Sequence, residues 1–178
     1  MMNCAKIFGM IKAFAKPSLL LLLAVSISAC GFHLRGNIPL PENIQSMYVR
    51  APEGSFKEEL LDRLEAAGAQ LATAPAGADV ILDVTQAVSD RTIGTLDERG
   101  KANSFNVRFR VSYSFLDTKG AAIRPAASLV ETRRYDFNEQ QVVESESEEA
   151  ELQEDLEESI ALRIVRKLAS ITDFVPGK

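Results

Sequence analysis

Phe105-Asn106-Val107-Arg108-Phe109-Arg110-Val111-Ser112-Tyr113-Ser114-Phe115 is the stretch that decides the fold. Large apolar residues fill every odd position and polar ones every even position. That is the two-residue period of a β-strand with one buried and one wet face. Such a strand needs partners along its edges and a layer over its apolar face, so the flanking sequence is read for both.

Downstream, residues 117–120 form a turn, and an Ala/Pro-containing loop leads to a strand over residues 129–138. There Glu131, Arg133 and Arg134 interrupt the apolar residues, as on a polar-faced edge strand. Upstream, the turn Asp97-Glu98-Arg99-Gly100 connects to a strand over residues 79–95, in which Val80, Leu82 and Val84 mark the apolar side and the far end is more polar. Residues 44–51 read as another short strand, following an extended connection that holds Pro39 and Pro41.

Two helices supply the covering layer. Ser55-Phe56-Lys57-Glu58 has the form of a capping box at the start of a helix over residues 56–67. Phe56, Leu60, Leu61, Leu64 and Ala67 recur at three- and four-residue spacing, and Gly68 follows as a left-handed stop. A longer helix spans residues 145–170, where Leu152, Leu156, Ile160, Ile164 and Leu168 step by four beside Val165 and Ile171. The order strand, helix, three strands, helix predicts an α+β domain with two helices on one face of a four-stranded, mostly antiparallel sheet.

The first 29 residues read as a secretion signal. Lys6, Lys12 and Lys16 give the positive leader, residues 19–27 the apolar segment, and Ile27-Ser28-Ala29-Cys30 a lipoprotein cleavage site with Cys30 as the lipidated residue. The apolar run is too short and too interrupted to span a bilayer, which takes about 20 apolar residues. An unanchored secreted chain is the other reading, and it leaves Cys30 without a role, since cleavage removes Cys4, the only other cysteine. The leader can begin at Met1, Met2 or Met10. Residues 30–43 then form a lipidated tether and residues 44–178 a single domain, held at the membrane by several acyl chains. Gly31 after the cysteine, where aspartate retains enteric lipoproteins in the inner membrane, points to the periplasmic side of the outer membrane.

Three lysines and no acids leave with the leader, so the net charge falls from −5 to −8. Residues 139–158 carry ten acids and no base, whereas residues 91–134 carry nine bases against four acids. A basic middle and an acidic late segment offer opposite charges to different partners.

Catalytic chemistry lacks its parts. His33 is the only histidine and lies beside the tether, with no Cys/His metal set, phosphate loop or dinucleotide glycine pattern elsewhere. No catalytic residue, metal or cofactor is expected, and an envelope hydrolase is favoured by nothing beyond secretion. An exported, acidic chain is also a poor nucleic-acid partner.

The segment Cys30-Gly31-Phe32-His33-Leu34-Arg35 resembles the start of mature chains of the LptE (RlpB) family, outer-membrane lipoproteins of lipopolysaccharide assembly, and the element order over residues 44–172 agrees with that family's fold. The resemblance implies a non-enzymatic partner of the LptD β-barrel, sitting within it as a plug and helping lipopolysaccharide reach the cell surface. It also implies lipopolysaccharide contact through basic residues near strand ends. The position after the second strand falls on Arg99, with Lys101 close by. A second basic position, just before the long helix, falls on the acidic Glu144-Ser145-Glu146. Either Arg133 and Arg134 replace it, or direct lipopolysaccharide binding is weak and barrel assembly is the main role. A glycolipid carrier or chaperone without a fixed barrel partner is the competing expectation.

Overall fold

The computed structural model describes residues 38–172; the leader, Cys30, His33 and the motif around them lie outside the described residues, as do residues 173–178. The elements are β1 (Ser46–Arg50), α1 (Ser55–Ala66), β2 (Gln70–Leu71), β3 (Val80–Leu96), β4 (Ala102–Leu116), β5 (Ala122–Asp136) and α2 (Val142–Ala169), with a turn of 3-10 helix at Pro75–Gly77. They form one open sheet in the order β2-β1-β3-β4-β5.

The decisive stretch lies within β4, the strand between β3 and β5, antiparallel to both. Val107, Phe109, Val111, Tyr113 and Phe115 are all buried on its helix-covered side, while Arg108, Arg110, Ser112 and Ser114 are half-buried on the other. The alternation thus places both helices on one face, as expected. Phe56 of α1 meets Phe109 edge-on, with ring centroids 5.2 Å apart. In α2, Leu156, Ile160, Ala161, Ile164 and Leu168 are fully buried, so the four-residue step marks the face that closes the core.

Three details of the sequence reading are corrected. The sheet has five strands rather than four: the two-residue β2 pairs parallel to β1, held by hydrogen bonds from Gln70 N–H to Gln45 O at 2.7 Å and from Ala72 N–H to Met47 O at 2.7 Å. Two residues are too few to show a period. The Ala/Pro-containing loop is instead the start of β5, which begins at Ala122. Pro125 fits there because β5 is an edge strand and its register to β4 shifts between Tyr113 and Phe115, so the missing N–H interrupts no ladder that a regular strand would need. The capping box also does not form. Gly54 occupies the N-cap with no side-chain cap bond, and its carbonyl accepts the Lys57 N–H at 3.0 Å.

Gly68 ends α1 as the spacing suggested. Its φ is +94°, and Gly68 N–H to Glu65 O at 2.9 Å and Ala69 N–H to Leu64 O at 3.0 Å complete a Schellman motif. β1 is fastened to β3 by Asp79, whose Oδ2 accepts the amides of Ser46 at 2.9 Å and Gln45 at 3.1 Å. Burial works against this charge, and the two amide bonds outweigh it, holding the carboxyl below its usual value. A depressed folded value means that the stabilisation is present above the unfolded pKa of about 3.9 and is lost as pH falls through the folded value. Asp79→Asn is therefore expected to cost stability at neutral pH and progressively less in acid. Urea midpoints of the two proteins that stay parallel down to the lowest accessible pH would remove Asp79 from this role.

Beyond Asp83, β3 leaves β1 and runs on with β4 alone, so its residues 85–96 form an open edge and β5 forms the other. A register shift between Val84 and Gln86 resets the alternation, and Ala87, Ser89, Arg91 and Ile93 follow on the helix side, opposite Val111, Phe109, Val107 and Phe105. Gly94 lies at the second irregularity. A Cβ there would stand 2.6 Å from Ser104 Oγ and 3.3 Å from the Ser104 carbonyl oxygen. Ser104 is fully buried and its hydroxyl is bonded to Thr95 Oγ1 at 2.8 Å, so it has little room to yield. Gly94→Ala is expected to destabilise by about 1–3 kcal/mol through this overlap; a melting temperature equal to that of the parent would show that the strands simply part.

Candidate functional site

The far end of the β3–β4 hairpin gathers three of the four basic residues that the sequence singled out. Its turn is built on Asp97, whose Oδ1 accepts the amides of Arg99 and Lys101, each at 2.9 Å, while Gly100 takes a φ of +79°. The Lys101 amide bond, ahead of the Arg99 bonds, holds the Asp97 carboxyl below its usual range. Both basic residues are thus fixed by their backbones, which leaves their side chains outside. The Arg99 side chain is 80% exposed, and its ion-pair partner is Asp97, at 3.2 Å. Lys101 Nζ reaches Glu139 at 2.8 Å, tying the hairpin tip to the β5–α2 connection and raising the lysine's pKa through that hydrogen bond.

Arg134 joins this end and Arg133 does not. Arg134 stands on the uncovered sheet face opposite Asn106 and donates from Nη2 to Thr95 Oγ1 at 3.1 Å. Thr95 is bonded in turn to Asn103 and Ser104, so the Arg134 head is seated against the hairpin end. Arg133, opposite Val107, projects to the helix side, with its guanidinium 3.9 Å from Glu131. Neighbours in sequence, the two arginines occupy opposite faces of an edge strand. Arg99, Lys101 and Arg134 therefore form one basic tip, from which Arg133 is separated by the sheet.

Arg91 is the residue that sequence reasoning passed over. Its guanidinium lies 4.7 Å from the centroid of Phe105 and donates to Glu149 Oε2 at 2.7 Å, an oxygen that also accepts the Tyr135 hydroxyl at 2.5 Å. This set joins β3, β5 and the acidic first half of α2, where few side chains are buried. Burial first, and then the bond to Glu149, raises the Tyr135 pKa. Charge was the only available signal, a base in β3 and a run of acids in α2; the register shift after Val84 that turns Arg91 to the helix side was not readable. Glu149→Ala is expected to loosen the first two turns of α2 without global unfolding, read as faster amide exchange over residues 142–150; unchanged exchange there would assign the docking to the apolar contacts alone.

The uncovered face of the sheet carries Arg108 and Arg110 with Ser112 and Ser114, and no described element packs on it. Arg108 forms a two-pronged pair with Asp90 across the strands, at 2.8 to 3.2 Å. Arg110 sits between Val88 and Val130, 40% and 46% exposed respectively, and has no ion-pair partner within 4 Å among the described residues. The face is thus polar with two apolar flanks. No group of three or more metal-ligating side chains is found among the described residues, and no described helix is long and apolar enough to cross a membrane.

Comparison with known proteins places this arrangement. The chain is similar in fold to uncharacterized lipoprotein B from Nitrosomonas europaea, at 24% identity and a TM-score of 0.67, covering 79% of this chain and 91% of that one. It is also similar to a minor lipoprotein from Acinetobacter baumannii (22% identity, TM-score 0.61, 74% and 94% covered) and to rare lipoprotein B from Shewanella oneidensis (14% identity, TM-score 0.62, 71% and 95% covered). No curated protein sequence matches the chain. The sequence profile of LptE, described as lipopolysaccharide-assembly, matches residues 44–168, which hold every strand and all but the end of α2. By that match the chain belongs to the LptE family of lipopolysaccharide-assembly proteins.

Proposed function

We propose that the chain is a lipoprotein anchored through Cys30 to the periplasmic side of the outer membrane, where it plugs an LptD-like β-barrel and assists its assembly for lipopolysaccharide delivery to the cell surface. The observation that carries this reading is the family match across residues 44–168. The uncovered sheet face supports it: a barrel lumen is polar, and Arg108, Arg110, Ser112 and Ser114 give a plug the matching exterior. Residues 1–29 are then the leader, 30–43 the tether and 44–178 the plug domain. The role requires binding and shape, and it assigns no catalytic step.

Lipopolysaccharide contact is proposed at the hairpin tip through Arg99 and Lys101, with Arg134 beside them. Phosphate groups suit the planar fork of arginine, and Arg99 is held by its backbone with its head in solvent. Arg133 faces the helix layer and belongs to this contact only if lipid reaches around the β5 edge. Affinity purification of the tagged lipoprotein from detergent-extracted membranes is expected to bring down a large outer-membrane barrel. A stoichiometric lipopolysaccharide complex with no barrel would favour the carrier reading instead.

A further inference from the structure

At the opposite end of the sheet, Tyr113, Phe115, Arg124, Pro125, Ala127 and Ile171 line a half-open cavity of about 300 Å³ between the β4–β5 pair and the end of α2. Lys167 and Ser170 line it as well. The same two residues border a second recess, completed by Arg163 and Arg166. A largely apolar hollow and a basic recess thus adjoin at Lys167 and Ser170. Arg163 is engaged by Glu131 at 2.9 Å, while Arg166 and Lys167 are exposed and have no ion-pair partner among the described residues. Cations in the last turn of a helix complement its dipole, which accounts for their sign but not for the apolar hollow beside them.

We propose that this double recess binds a single acyl chain carrying an anionic phosphate head, as in an anionic membrane phospholipid, with the chain against Tyr113, Phe115 and Ile171 and the head at Arg166 and Lys167. The volume lies at the lower end of small-ligand pockets and admits one chain rather than the bundle of a multi-chain glycolipid. Its place in the fold agrees. Ile81 pairs with Leu116 and Leu116 with Ala122, so the recess lies at the sheet end where β3 begins. The described chain enters at that end too, with Leu40 N–H bonded to Ala67 O at 3.3 Å beside β2. Given the anchor proposed above, this end meets membrane headgroups first. The binding site itself stands without the anchor.

The test uses residues 30–178 with Cys30→Ser, which retain the whole described core and carry no covalent lipid. Lauroyl lysophosphatidylglycerol is titrated below its micelle concentration, against lauroyl lysophosphatidylcholine and against inorganic phosphate. The glycerol lipid is expected to bind one to one and about thirtyfold more tightly than the choline lipid, the preference two basic residues give at a lipid surface. Ala127→Trp, an exposed edge-strand change that fills the hollow, should weaken it about tenfold or more. Arg166→Glu with Lys167→Glu should remove most of the head preference while leaving residual chain binding. Arg99→Asp should leave lysolipid binding unchanged, which separates this site from the proposed lipopolysaccharide contact. Equal affinity for the two lipids, insensitivity to Ala127→Trp, or phosphate binding as tightly as lipid would each overturn the proposal. So would binding seen only after truncation at Thr172, since the hollow would then be filled by the chain's own end.

Discussion

Ile160→Ala lowers the free energy of unfolding by about 2–5 kcal/mol, as expected for deleting most of a buried aliphatic side chain. Ile160 is fully buried, one turn from Leu156 and one from Ile164, which are equally inaccessible. It lies where α2 closes over the sheet, and the neighbours that line the gap come from elements fixed independently. α1 is stopped by its Schellman motif, β1 is held by Asp79, and β4 is paired on both edges. Collapse around the missing atoms is thus restricted, and the cavity term adds to the lost transfer energy. Val143→Ala on the same helix removes a side chain that is 75% exposed and should change stability by no more than about 0.5 kcal/mol. Urea denaturation of the pair should give a lowered midpoint with an unchanged slope for Ile160→Ala alone. Equal midpoints would mean that α2 does not close the core.

Reversing both charges at the hairpin tip, Arg99→Asp with Lys101→Asp, is expected to weaken lipopolysaccharide binding by about tenfold or more, since one charge-assisted hydrogen bond contributes about 1.5–3 kcal/mol. The bonds that build the turn come from the Arg99 and Lys101 amides to Asp97 and survive the substitutions. What is lost in the folded state is the exposed Arg99–Asp97 pair and the Lys101–Glu139 pair, whose side chains are more than half exposed. Pairs of this kind contribute little to stability, so the melting temperature should barely move while binding falls. The binding of the parent should also weaken with added salt, because the contact is exposed and ionic. Unchanged binding in the double variant would remove the tip from the lipid contact and leave the barrel role standing.

The parts of the fold legible in sequence were those where one period runs long enough to exclude the others. Eleven alternating residues in β4 and the four-residue step of α2 fixed the two faces that meet. β2 was hidden because two residues carry no period and its existence depends on a parallel pairing with β1. The first half of β5 was hidden by Pro125 and its alanines, which read locally as loop; only its edge position and the shifted register make a strand tolerable there. Ser55 and Glu58 satisfied a capping pattern that the backbone at Gly54 does not use. At the site, Arg99 and Lys101 were readable because the turn Asp97-Glu98-Arg99-Gly100 declares itself. Arg133 and Arg134 were paired as candidates, although the strand period puts adjacent residues on opposite faces. The Arg91–Glu149 contact spans 58 residues and needed the strand register and the helix placement together.

A photo-crosslinking side chain at Ser112, midway along the uncovered face of β4, tests whether this domain seats its polar sheet face inside a barrel, as proposed. In intact outer membranes Ser112 is expected to give an adduct with a large β-barrel protein, and a crosslinker at Ala161, which is buried between the layers, to give none. Adducts from Ser112 to lipid or small periplasmic proteins alone, with the barrel present, would contradict it.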